Sequence, residues 1–318
     1  MLQLTRGPLR FWTGLGADRI IAAAIISVTA MTPAAADWRK ELGTFRIGMI
    51  EAQGKQYSPA DLAKLRAAYS GALGMPIEIF QAKDFPSLID AQASSRIEYA
   101  FYTAQAYATA YLACECVEPL AAPRGADGSE GIKAVLLLDE ALSIADLAQS
   151  KGIGVAGKDS LSTFGVALAS FQPKGASLTG SEPWLRVEDG QSNLLKELEN
   201  GSIDGFFAAI PSSLKLNDAV SKDAALSSEL AKTGRKIKAV WLSRTVPNGP
   251  HAVRKNLAPE AKEALLKLLA GLAAADPDLN DLLLPDDAGT FSPVSHQAYD
   301  LALKATKALA DASGATTP

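Results

Sequence analysis

Apolar and polar positions along the chain alternate between two periods. Phe45-Arg46-Ile47-Gly48-Met49-Ile50 is a short β-prone run. Ser58-Pro59-Ala60-Asp61 then opens a helix, with serine as N-cap, proline in the first turn and an acid at the positive end. Leu62, Leu65, Tyr69 and Leu73 recur at helical spacing, and Gly74 closes the segment. Residues 77–80 (IEIF) predict a second strand, 84–95 a helix with Leu88 and Ile89 inward, and 96–102 (RIEYAFY) a third strand. This is the βαβαβ rhythm of a parallel sheet.

The rhythm then restarts. Residues 133–139 (KAVLLLD) are apolar on both faces, as in a strand covered on both sides, and a short helix is expected at 143–149. Residues 152–157 predict a strand, helices begin at Ser162 and Ser192, and strands are predicted at 202–210 and 237–243. Pro259-Glu260-Ala261 opens an amphipathic helix with Leu265, Leu268, Leu269 and Leu272 on one face. No long-period repeat and no low-complexity linker interrupts the pattern. Two α/β units without a flexible linker predict two lobes of parallel or mixed sheet joined by two crossing strands. The expected division is 37–139 with 243–318 in one lobe and 140–242 in the other. A cleft between such lobes, at the C-terminal ends of the strands, is the default ligand site.

Composition narrows the class. The 318 residues carry 31 Lys and Arg against 35 Asp and Glu, a net charge of −4, with 48% apolar and 21% charged residues. That balance belongs to a folded globular chain. The mild acidity argues against a nucleic-acid binder, which needs a clustered basic face. The first 19 residues hold Arg6, Arg10 and Arg19, an apolar run follows from Ile20 to Met31, and Ala34-Ala35-Ala36 precedes a polar sequence. This reads as a secretory signal peptide cut after Ala36. The run is shorter than the roughly 20 residues of a membrane span, which disfavours an uncleaved anchor. Cleavage leaves 28 basic against 34 acidic side chains. No cysteine follows the cut, so a lipid anchor is not expected, and the periplasm of a two-membrane cell is the expected compartment.

Candidate chemistry is sparse. Two histidines, His251 and His296, and two cysteines, Cys114 and Cys116, leave little for a metal site or a proton relay. No cofactor and no metal are expected. At a separation of one residue, the cysteines are equally compatible with a small strained bridge and with two partly buried thiols. Ser160 and Ser162 have no evident base. G-x-S-x-G, H-E-x-x-H and Walker motifs are absent, so an exported hydrolase is the weaker alternative. The most informative stretch is 154–171, GVAGKDSLSTFGVALASF. A strand, a polar turn and a helix start at Ser162-Thr163-Phe164-Gly165 set free backbone N–H groups, two hydroxyls and a helix dipole at one place. A small anion needs such neutral donors. The alternative is an ordinary N-cap.

The chain from about Phe45 to Leu301 resembles the phosphate, phosphite and phosphonate family of periplasmic binding proteins. The likeness is sequential. Ser162-Thr163 resembles that family's Ser-Thr-Ser-Gly turn, and 127–131 (DGSEG) its DGSPG loop. Residues 178–181 (LTGS) resemble its T-G-S-H turn, 200–205 (NGSIDG) the start of its next strand, and 246–250 (VPNGP) its return segment. The resemblance implies a type II bilobal binding fold, hinge closure on a small phosphonate-like or phosphate-like anion, an ABC permease in the inner membrane as partner, a monomer, and no enzymatic activity.

The implied contacts carry over in part. Ser162 and Thr163 match the family's oxyanion-binding hydroxyls. Phe164 stands at its second serine, leaving only a backbone N–H. Phe85 and Ile132 stand at tyrosines, Glu182 at a histidine, and Gly249 at an aspartate that reads an amine. The pocket is thus expected to suit a more apolar or partly cationic ligand, with Glu182 facing an amine and Phe85 an alkyl or aromatic group. A sensor or transporter of another metabolite is the alternative. Glu51 and Gln53 after the first strand, and Tyr102 and Gln105 after the third, are further candidates for the cleft wall, as is Trp184. Trp241 reads as core. His251 and His296, with no carboxylate at a telling spacing, read as surface or internally satisfied side chains.

Overall fold

The computed structural model describes residues 37–50, 57–175, 177–284 and 288–314. The expected signal peptide and its cut after Ala36, and the candidates Glu51 and Gln53, lie outside the described residues.

Among the described residues, twelve strands form two mixed sheets. They are β1 (Phe45–Ile50), β2 (Ile77–Ala82), β3 (Tyr99–Phe101), β4 (Val117–Gly125), β5 (Gly131–Asp139), β6 (Ile153–Ala156), β7 (Leu185–Glu188), β8 (Gly205–Pro211), β9 (Ile237–Leu242), β10 (Val246–Pro247), β11 (His251–Arg254) and β12 (Ala288–Pro293). The first sheet has the order β12-β4-β11-β3-β1-β2, with β1 parallel to β2 and β3, and β11 antiparallel to β3 and β4. The second has the order β10-β5-β8-β6-β7, with β9 beside β5; β6 is parallel to β7 and β8, and the pairs around β5 are antiparallel.

The local signals for helix starts are met as written. Ser58 and Asp61 form a reciprocal cap at the helix Pro59–Leu73, and Asp84 caps Phe85–Ala93 through the N–H of Ser87. The third strand is shorter than its sequence run. Just before it, the Glu98 carboxylate grips Arg46, accepting its backbone N–H at 2.7 Å and its guanidinium at 2.5 and 3.1 Å.

The division between sheets differs from the expected one. The strand ending at Asp139 pairs with β8 and β9 and so belongs to the second sheet. The chain crosses between Gly125 and Gly131 and returns between Pro247 and His251, not near Asp139 and Ser243. The helix Asp300–Ser313 packs on Val166–Ser170, which follows β6 of the second sheet, as well as on Ala104–Cys114 of the first. It therefore braces both units rather than belonging to one. One apolar core accordingly runs through both, from Leu88 and Tyr107 to Leu136, Phe164 and Leu301, while two others cover the far face of each sheet. Trp241 sits in aromatic contact with Phe171 and Phe207, in the core as expected. Cys114 and Cys116 are bonded to each other. No helix of the described residues is long and apolar enough to cross a membrane.

Candidate functional site

Two strand ends aim helix starts at one space. The chain leaves β3 through Tyr102 and Thr103 into the helix Ala104–Cys114, whose first turn Thr103 caps by accepting the N–H of Ala106 at 3.0 Å. It leaves β6 through a turn at Gly157–Ser160 into a helical segment beginning at Leu161. The opening turn there is wide: Gly165 N–H donates to the Ser160 carbonyl five residues back, at 2.9 Å. Thr103, Ala104 and Gln105 from one start, and Ser160, Leu161 and Ser162 from the other, line a single cavity of about 860 Å³. The crossing segment 246–249, Ile132 and Pro123, Phe101 and Tyr102, His251 and Leu283 complete it. Its size falls in the range of small-molecule sites.

The hydroxyls of the second start are not equivalent. Ser160 and Ser162 line the cavity with their oxygens 3.3 Å apart. Thr163 is turned inward at 6% exposure. Its hydroxyl lies 2.9 Å from the Ser160 oxygen and 3.3 Å from the Ala156 carbonyl, so it holds the turn. Phe164 is buried in the core. Gln105 reaches across the cleft, its amide donating to the Asp159 carbonyl at 3.3 Å, and so links the two helix starts directly.

The other expected contacts divide. Ile132 and Tyr102 line the cavity. The Tyr102 hydroxyl is buried without a hydrogen-bond partner, and burial pushes its pKa above the ordinary tyrosine range. Phe85 is not part of the lining. It is half-buried in the first turn of its helix and packs on the core. Glu182 does not face the cleft either. Its carboxylate closes a local turn, accepting the N–H and O–H of Thr179 at 2.7 and 3.0 Å and the N–H of Gly180 at 3.0 Å. Burial alone would raise its pKa, but these donors hold it below the ordinary carboxylate value. Glu182 and Trp184 instead border a separate cavity of about 220 Å³ with Ile144, Leu147 and Leu178. An amine-binding role for Glu182 thus loses its geometry. Gly249 does line the cleft, but a Cβ there would stand 2.0 Å from the Tyr102 carbonyl oxygen, so an aspartate does not fit without a backbone shift.

Ser160 and His251 are among the cavity residues that the sequence does not single out. The neighbours of His251 along the chain carry no signal for a site. Antiparallel pairing places it opposite Phe101, on whose ring it stacks at 4.3 Å. Its Nδ1 is 2.6 Å from the Tyr99 hydroxyl, and burial lowers its pKa to about 3. His296, by contrast, contacts the Tyr107 hydroxyl through Nδ1 at 2.7 Å, outside this lining. Among the described residues the lining contains no Lys, Arg, Asp or Glu, and no cluster of three metal-ligating side chains occurs.

A sequence family described as ABC transporter, phosphonate, periplasmic substrate-binding protein matches residues 47–299. The chain belongs to this family. The fold of this phosphonate-type binding protein is shared by solved structures of low sequence identity. A Xanthomonas citri protein solved bound to ATP is 14% identical at a TM-score of 0.56, the match covering 86% of this chain and 98% of that one. The Mycoplasma hyorhinis protein Mh-p37, described as a putative thiamine pyrophosphate transporter, is 10% identical at 0.55, covering 82% and 98%. Two mixed sheets with two crossings are the bilobal architecture of type II periplasmic binding proteins, and the family is the solute-binding component of ABC importers.

Proposed function

We propose that this binding protein captures a small phosphorus oxyanion or phosphonate-like ligand between its two units and presents the closed form to an inner-membrane permease. The observation that carries the reading is the convergence of two helix starts, at Thr103–Gln105 and Ser160–Ser162, on one cavity. Each start contributes unpaired N–H groups and roughly half a positive charge. Together they suit an anion, and among the described residues the lining adds no lysine or arginine, whose desolvation would oppose binding.

The roles follow from position. Ser162 and Ser160 donate to the anion through their hydroxyls. Thr163 fixes the Ser160 side chain, and Phe164 offers only its backbone N–H. Ile132, Leu161 and Val246 cover an apolar substituent, and Tyr102 supplies the cleft wall on the other unit. Phe85 and Glu182 support the scaffold. The units approach by bending at the crossings 126–130 and 248–250, and the ligand favours the closed state because both units touch it only there. The mature chain starts after Ala36, works in the periplasm as a monomer, and performs no chemistry on its ligand.

Thermal melting and calorimetry with phosphate, phosphite, methylphosphonate and 2-aminoethylphosphonate test the reading. A binder at a hundredfold excess over Kd stabilises by about 2.7 kcal/mol. No shift with any of the four rejects the phosphorus ligand.

A further inference from the structure

A buried row of three side chains runs beside the cleft. The hydroxyls of Tyr69 and Tyr99 are 3.0 Å apart, and the Tyr99 hydroxyl is 2.6 Å from His251 Nδ1. Tyr69 and Tyr99 are fully buried, and His251 keeps 3% exposure. The row holds two hydroxyl protons and, with the ring neutral, one imidazole proton. Only one direction uses both hydroxyl protons. Tyr69 donates to Tyr99, Tyr99 donates to Nδ1, and the ring proton stands on Nε2. In the reverse direction Nδ1–H donates to Tyr99 and Tyr99 to Tyr69. The Tyr69 proton is then buried with no acceptor among the described residues, where Tyr99 is that hydroxyl's hydrogen-bond partner. An unsatisfied buried donor disfavours that arrangement by roughly tenfold or more.

No hydrogen bond of Nε2 occurs among the described residues, and His251 keeps a small exposure. His251 borders the cleft beside Phe101 and Leu283.

We propose that His251 presents Nε2–H to the cleft as a fixed neutral donor for a ligand oxygen, with Tyr69 and Tyr99 as positioning residues that set its tautomer. This deepens the oxyanion reading and rests on it for the ligand. A neutral imidazole N–H can be desolvated at low cost, unlike a cation, and the depressed pKa keeps it from ionising. As a donor without acceptor capacity at this atom, it complements oxygens that carry no proton, as on a sulfonate or a fully ionised phosphonate. A ligand hydroxyl aimed at the same point finds no acceptor.

The chain has only two histidines, so a long-range 1H–15N correlation on 15N-histidine protein resolves each ring. The expected result for His251 is a protonated Nε2 and a bare Nδ1, with Tyr99→Phe shifting the ring to a mixture of tautomers. A protonated Nδ1 in the wild type overturns the proposal whatever binds. Calorimetry with methylphosphonate, methanesulfonate and phosphate supplies the second arm. For a probe that binds the wild type, His251→Phe is expected to weaken it roughly tenfold or more, and the probe to shift the Nε2 resonance. Unchanged affinity with an unmoved resonance overturns the ligand contact. If His251→Phe does not fold, the Nε2 resonance of the wild type alone decides. If no probe binds the wild type, the phosphorus reading falls, and the tautomer result still decides the proposal about His251.

Discussion

The hydroxyl of Tyr299 donates to the carbonyl oxygen of Asn248 at 2.6 Å. Asn248 in turn donates its backbone N–H to Glu130 and its side-chain amide to Pro123, each at 2.9 Å. One asparagine thus ties both crossings to the C-terminal segment. Tyr299 is fully buried, so Tyr299→Phe removes the donor and leaves no water to replace it. The expected loss is about 1–2 kcal/mol, read from urea unfolding. An unchanged midpoint would show that the tie contributes nothing.

Gly249 tests the close approach of the crossing to the first helix start. A Cβ at this position would meet the Tyr102 carbonyl at 2.0 Å and the Thr103 Cα at 2.7 Å, both backbone atoms that cannot rotate away. Gly249→Ala is expected to destabilise by about 2 kcal/mol or more, and Gly249→Asp not to create an amine site. Gly271, inside the helix Pro259–Ala275 with nothing within 4 Å of the added atom, is the control. There alanine is expected to stabilise by up to about 1 kcal/mol. Thermal melts of the two variants side by side distinguish local crowding from a general effect of alanine.

The serines and the threonine of the second helix start should separate. Ser162→Ala removes a hydroxyl that lines the cavity without bonding Thr163, and ligand affinity is expected to fall by roughly tenfold or more with little change in melting temperature. Thr163→Val keeps the shape and removes the hydroxyl bonded within the turn, so stability is expected to fall by about 1 kcal/mol with a smaller change in affinity. Equal affinity losses for the two would contradict this assignment of roles.

Glu182 predicts a pH dependence with a definite sign. Its carboxylate is held below the ordinary value of 4.5 by donors from Thr179 and Gly180. A depressed folded-state pKa means that its stabilisation is fully present above pH 4.5 and is lost as pH falls through the lower, folded value. Glu182→Gln is therefore expected to melt lower than wild type at pH 7, the gap closing as the solution is acidified below 4.5. A gap that widens on acidification would reverse the assignment. Ligand affinity at pH 7 should be almost unchanged, because Glu182 does not line the cleft.

Much of the local structure was legible, and the reasons are short-range. The reciprocal cap of Ser58 and Asp61, the Asp84 cap and the amphipathic helix at Pro259–Ala275 depend on residues three or four apart. The likeness in order and spacing of the motifs identified the family, and it put Ser162 at the cleft. It failed at Phe85 and Glu182, because correspondence to a contact position does not say where a different side chain turns. Phe85 found the core, and Glu182 found three nearby donors.

The amino-acid sequence by itself determined where helices start, which strands are covered on both faces, and that a strand-to-helix turn brings the hydroxyls of Ser162 and Thr163 to a helix start. Tertiary structure alone decided which sheet β5 joins, since the run KAVLLLD is apolar on both sides and suits the centre of either. It also decided that His251, opposite Phe101 across 150 residues of chain, reaches the cleft and is oriented by Tyr99. Periodicity records how a segment meets its own neighbours. Pairing between distant strands depends on the combined burial of both, which no single window of sequence contains.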